Sequence, residues 1–156
     1  MTFDVSKELI IGSTVISINI IESVDEIRVS AADMLWDMFT PIIVDDSGVS
    51  VPIQKYHVDS KAQIVTIFLL HSIPSGLYEL RMEFGSMMRK DLMGCYISYA
   101  KDNQGISRPF VVSQFEPNYA RTCFPTFDEP DVKMPFSISL TIPEEMEGLS
   151  NTNIVI

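Results

Sequence analysis

Along most of the chain, hydrophobic and polar residues alternate with a period of two. Ile16, Ile18 and Ile20 are separated by Ser17 and Asn19, and Ile27 and Val29 flank Arg28. On an extended backbone this alternation puts apolar side chains on one face and polar ones on the other. In YELRMEF, Leu80, Met82 and Phe84 alternate with Arg81 and Glu83; further on, Phe136, Ile138, Leu140 and Ile142 alternate with Ser137, Ser139 and Thr141. Both stretches predict strands with one buried face. The continuous run IVTIFLL (64–70) predicts a strand buried on both faces. DDSG (45–48), Pro52 and PSG (74–76) supply the turns between strands. GSMMRKD (85–91) reads as a turn with exposed methionines. Only SAADMLWDMF (30–39) is compatible with a helix; short and without a clear cap, it predicts a strand-to-loop passage with at most one helical turn.

Short strands at regular spacing predict an all-β fold, an antiparallel sandwich with at least one sheet edge exposed unless a partner or another domain covers it. The 156 residues suffice for one domain with its own core but not for two. A hydrophobic share of 46% with 21% charged residues fits a globular chain. The formal net charge of -10 argues against nucleic acid as a partner, since phosphate backbones require clustered Lys and Arg. No apolar run reaches the length of a membrane span. The first residues lack the basic start and apolar run of a signal peptide, and no Asn-x-Ser/Thr acceptor occurs, which slightly favours a cytoplasmic location over others. Two cysteines, Cys95 and Cys123, are too few for a disulfide framework or a zinc site and are expected as buried free thiols, unless the fold brings them together to pair.

Candidate chemistry is sparse. His57 and His71 stand alone, without the H-E-x-x-H spacing that places two imidazoles on one metal, so they are expected as surface histidines. No serine lies in G-x-S-x-G and no glycine-rich loop suits a phosphate. No catalytic or metal-ligating residue is therefore assigned. The exception to this sparseness is SQFEPNYARTCFPTFDEPDVK (113–133). Two apart on an extended backbone, Gln114 and Glu116 share a face, where a carboxylate and an amide oxygen together suit a primary ammonium; a solvated strand end would look the same. In the second half, Phe124 and Phe127 are expected to anchor the segment in the core, Pro125, Pro130 and Pro135 to stiffen it, and Arg121 to pair with Asp128 or Glu129.

This stretch closely resembles a signature of the aminopeptidase N family of zinc metallopeptidases, T-Q-F-E-P-x-x-A-R-x-x-F-P-C-F-D-E-P-x-x-K-A-x-F. Gln114, Phe115, Glu116, Pro117, Ala120, Arg121, Phe124, Pro125, Phe127, Asp128, Glu129, Pro130, Lys133 and Phe136 fall into register, with Ser113 a mild variant. GSTVISINI (12–20), IPSGLYELRMEFGS (73–86), GCYISYAKDNQG (94–105) and LSN (149–151) resemble further elements of the same N-terminal β domain. Thr126 stands where the family's F-P-C-F has cysteine, Cys123 where a small residue is common, Met134 where alanine is usual, and Cys95 in place of a larger apolar residue.

The resemblance implies a partial, saddle-like N-terminal β domain over residues 1–156, incomplete at both ends. In that setting Glu116 would help bind the free α-ammonium of a peptide substrate and Gln114 would line the pocket for its first side chain. Arg121, Phe124, Pro125, Phe127, Asp128, Glu129, Pro130 and Lys133 would hold that strand in place. Zinc and the catalytic base belong to the family's catalytic domain, so no cofactor and no peptidase activity are expected of this chain alone. The implied partners are peptide N-termini and either an aminopeptidase catalytic domain or another chain covering the β edges. The competing expectation is a stand-alone binding module, a pseudoenzyme completed by a partner through strand addition.

Overall fold

The computed structural model describes residues 1–153; residues 154–156 lie outside the described residues. β1 (Thr2–Asp4) and β2 (Leu9–Ile20) form a hairpin. The Asp4 carboxylate ties its turn by accepting from the Ser6 hydroxyl at 2.6 Å and the Lys7 amide at 3.1 Å. Those hydrogen bonds, Ser6 first, hold the Asp4 pKa at about 2. β3 (Val24–Ser30) leads into the 30–39 passage, where the expected helical turn forms as a single 3-10 turn at Trp36–Met38. β4 (Thr40–Asp45), β5 (Ser50–Val51), β6 (Ile53–Asp59), β7 (Ile64–Ile73), β8 (Gly76–Met87), β9 (Gly94–Lys101) and β10 (Ser107–Gln114) complete the described strands, and a second 3-10 turn follows at Ala120–Thr122.

The strands make an all-β domain of three sheets, in the orders β1-β2-β8-β4-β5, β3-β7-β6 and β10-β9, with every pairing between them antiparallel. β8 is the spine: β2 pairs with it from Leu9↔Met87 to Ile20↔Gly76, and β4 covers its other side from Thr40↔Glu83 to Asp45↔Tyr78. Its expected alternation holds, with Leu80, Met82 and Phe84 fully buried and Arg81 and Glu83 exposed. These side chains join Ile10, Ile16 and Ile43 from their own sheet and Val29, Val65 and Ile67 from the three-stranded sheet in one core. Burying each such side chain contributes about 1.5–3 kcal/mol. The outer strands of the large sheet, β1 and β5, have three and two residues, and short edges of this kind offer little template for further pairing.

Three expectations are corrected. IVTIFLL is not buried on both faces: Val65, Ile67 and Leu69 point inward, whereas Ile64, Thr66 and Phe68 are half-buried and Leu70 is exposed. Among the described residues no further layer covers the outer face of β7, and the Lys55 ammonium lies over the Phe68 ring there, 5.3 Å from its centroid. The 85–91 stretch is strand up to Met87, and of its methionines Met87 is exposed while Met88 is buried and donates its amide to the Glu8 carbonyl at 2.7 Å. The alternation of 136–142 builds no strand. Bracketed by Pro135 and Pro143, these residues make a single β-bridge among the described residues, Thr141 to Thr2 in parallel, while the Met1 ammonium donates to the Ser139 carbonyl at 2.7 Å. Phe136, Ile138 and Leu140 are 58%, 53% and 40% exposed.

Candidate functional site

The β9–β10 ribbon delivers the signature segment. Its register pairs Ser113 with Cys95 and ends where Gln114 meets Gly94. Gly94 has a φ of +66°, and a Cβ there would run into Thr122 Oγ1 and come within 2.9 Å of Arg89 Cδ. Both conditions require glycine, and the missing side chain lets the chain after β10 fold back against the start of β9.

Past Gln114 the segment makes a tight reversal. The Glu116–Pro117 peptide is cis, the Tyr119 amide donates to the Phe115 carbonyl at 2.7 Å, and the Thr122 hydroxyl donates to the Tyr119 carbonyl at 2.8 Å. Phe115 lies edge-on to Phe124 with centroids 5.6 Å apart, and Phe124 meets Phe136 at 6.3 Å. Of the two expected anchors, Phe124 is buried and Phe127 is half-buried against the same core; Pro125, expected as a stiffener, is buried as well. Thr126 exchanges backbone hydrogen bonds with Ser30 at 2.9 and 3.0 Å, which splices the segment onto the end of β3.

Arg121 pairs with Asp128, the first of its two expected partners. Its Nε donates to the carboxylate at 3.0 Å, its backbone amide to the same oxygen at 3.1 Å, and a terminal nitrogen to the Asp128 carbonyl at 2.9 Å. The two side chains are only 11% and 13% exposed. An ion pair this deep is tolerated because, among the described residues, no fully buried side-chain nitrogen or oxygen is left without a partner. Glu129 takes another role, accepting from the Ser30 hydroxyl at 3.4 Å, and Pro130 and Lys133 lie exposed. Cys123 and Cys95 are buried free thiols in mutual contact. The neighbouring Cys95 thiol, together with burial, pushes the Cys123 thiol far above its ordinary value, which disfavours its thiolate. The Ser86 hydroxyl donates to the Cys123 carbonyl at 3.0 Å from the end of β8.

Gln114 and Glu116 differ from their neighbours. Both are exposed, and among the described residues neither side chain enters a hydrogen bond or an ion pair. Phe115 between them is half-buried and packs against the core. His57 and His71 lie exposed on β6 and β7. No group of three or more His, Cys, Asp or Glu side chains converges on a point among the described residues, so the residues present do not fit a zinc centre.

Sequence reasoning missed Arg89. Its guanidinium joins Asp91 through two nitrogens and Asp33 through a third, at 2.8 Å for Asp33, and packs on the Tyr119 ring at 5.8 Å. These carboxylates, Asp91 foremost, raise the Arg89 pKa, and Arg89 lowers that of Asp91. The local signal was the R-K-D triplet; Asp33, 56 residues away, left none.

Residues 1–155 match the family model described as the Peptidase M1 N-terminal domain. The chain is 30% identical over 144 residues to the puromycin-sensitive aminopeptidase of Caenorhabditis elegans, covering 92% of this chain and 15% of that protein. It is 30% identical over 148 residues to aminopeptidase M1 of Arabidopsis thaliana, covering 92% of this chain and 16% of the relative. With human glutamyl aminopeptidase it shares 35% identity over 115 residues, 71% of this chain and 12% of that protein. The chain therefore spans about a sixth of the length of such relatives. It belongs to the M1 aminopeptidase family, of which it constitutes the N-terminal β domain.

Proposed function

We propose that this domain has no peptidase activity of its own and that, joined to an M1 catalytic domain, it is architectural and helps recognise the free N-terminus of a peptide. The observation that carries this reading is the exposed, unpartnered Glu116 carboxylate, two residues beyond Gln114 on a turn fixed by interior contacts. A carboxylate draws an α-ammonium by charge, and an amide oxygen adds an acceptor for a second N–H. Hydrolysis in this family needs a metal-activated water and a general base, and the described residues bring together no donor set for a zinc site. The peptide-bond chemistry would belong to the catalytic domain, with this chain supplying an acceptor for the amine.

Exposure sets the magnitude. In water, an ion pair of this kind is worth roughly 0–1 kcal/mol, so the chain alone would bind an amine weakly. Covering the site with a second domain would exclude water and strengthen the same contact. The test is titration of trialanine and N-acetyl-trialanine into the chain, followed by amide shifts at 114–119. Free trialanine should bind about two- to fivefold more tightly, and Glu116→Ala should erase the difference; equal affinities in the wild-type chain would remove the recognition role. An aminoacyl reporter should remain uncleaved by the purified chain, and zinc-dependent turnover would overturn the non-catalytic assignment.

A second reading is favoured by the exposed apolar side chains of Phe136, Ile138 and Leu140. In it the chain is a binding module whose 136–142 stretch pairs with a strand of another protein. Protection of the 137–141 amides on adding an M1 catalytic domain or another partner chain would support it.

A further inference from the structure

We infer that Arg89 is a positioning residue for the Glu116 face: it clamps Tyr119 and thereby fixes the turn on which Glu116 is presented. The inference rests on the recognition reading above for its functional consequence, though not for its structural part. Three separate stretches meet at the guanidinium. Asp91 follows β8, Asp33 lies between β3 and the Trp36–Met38 turn, and Tyr119 closes the reversal after β10. The two carboxylates occupy the edge of the planar guanidinium, leaving its face for the Tyr119 ring. The Arg89 amide also donates to the Cys95 carbonyl at 2.8 Å, which fixes the base of its side chain against β9.

Tyr119 is the right residue to hold. Its amide closes the turn onto Phe115, the neighbour of Glu116, and its carbonyl accepts from both the amide and the hydroxyl of Thr122. The same circuit is closed from the other side, because the Ala32 amide, beside Asp33, donates to the Arg121 carbonyl at 2.8 Å. Glu116 itself has no such anchor, so its direction is set by the turn beneath it. A carboxylate whose carrier turn wanders must be ordered upon binding, and that ordering weakens the contact. Lysine in place of Arg89 would keep a charge over the ring but could not engage both carboxylates in one plane.

The test uses the whole chain, isotopically labelled, as wild type, Arg89→Gln, Arg89→Lys and Glu116→Ala. Amide hydrogen exchange at Tyr119 should quicken roughly tenfold in Arg89→Gln, less in Arg89→Lys, and not at all in Glu116→Ala. Exchange along β2 and β8 should stay unchanged in all three. The ratio of N-acetyl-trialanine to trialanine dissociation constants should fall towards one in Arg89→Gln, with Glu116 still present. Tyr119 exchange within twofold of wild type in Arg89→Gln would overturn the clamp. Faster exchange with an unaltered ratio would overturn the positioning role, because a purely structural contact changes the first and not the second. If the wild-type chain has a ratio of one, the recognition reading fails on its own and the exchange result alone decides whether Arg89 holds the turn.

Discussion

Residues 80–84 and 136–140 carry the same alternation of large apolar and polar side chains, yet one is the spine of the domain and the other builds no strand. Leu80, Met82 and Phe84 are 0%, 1% and 1% exposed; Phe136, Ile138 and Leu140 are 58%, 53% and 40% exposed. The difference lies in the neighbours. β8 has β2 on one side and β4 on the other, so every inward side chain meets a second sheet. The 136–140 stretch is flanked by proline and, among the described residues, has no paired strand beside it: it meets the fold through the Phe136–Phe124 rings, the Met1–Ser139 hydrogen bond and the adjoining bridge at Thr141. Alternation therefore encodes the capacity to bury one face, and the rest of the fold decides whether anything is there to receive it.

The largest test of that contrast is a pair of truncations. Phe84→Ala should cost about 3–5 kcal/mol in urea unfolding, whereas Phe136→Ala, at more than half exposure, should cost about 1 kcal/mol or less. Equal losses would mean that the two regions are packed alike. Next is Asp128→Ala, which leaves the deeply set Arg121 without its carboxylate and should cost about 3 kcal/mol. That result would show the signature segment to be held by one interior ion pair in the way β8 is held by apolar contact. Smaller still, Ile138→Ser should change stability by no more than about 0.5 kcal/mol; a larger loss would reveal hidden burial of the tail.

The smallest effect concerns Asp4, whose turn is held by hydrogen bonds at the surface. Its folded pKa, about 2, lies below the ordinary 3.8. Its contribution is thus fully present above the ordinary value and is lost as the pH falls through the folded one. Wild type and Asp4→Asn should differ slightly in thermal midpoint at pH 5 and converge below the folded pKa, at about pH 1. A difference that persists there would mean that the carboxylate is not the source.

Much of this was legible in the sequence, and the parts that were not share a cause. Arg121 and Asp128 are seven residues apart in a proline-stiffened stretch, so their meeting could be read from the chain. The alternation of β2, β3 and β8 fixed which side chains face inward because the period of a strand is two. The Arg89 clamp and the Ser30–Thr126 splice join residues far apart in sequence, and only the sheet topology brings them together. The same holds for the outer face of β7, where the apolar run 64–70 does not say that no layer of the described residues covers it. Spacing made Glu116 a candidate and the resemblance gave it a role; its exposure, which governs how strongly it can act alone, required the fold.

The two thiols offer something practical. Cys123 lies inside the signature segment and Cys95 on the strand beneath it, each closed off from solvent. A maleimide or aromatic disulfide reagent could reach them only while the segment is lifted from β9. Its rate of modification therefore serves as a stopwatch for that one local opening, read without any introduced probe.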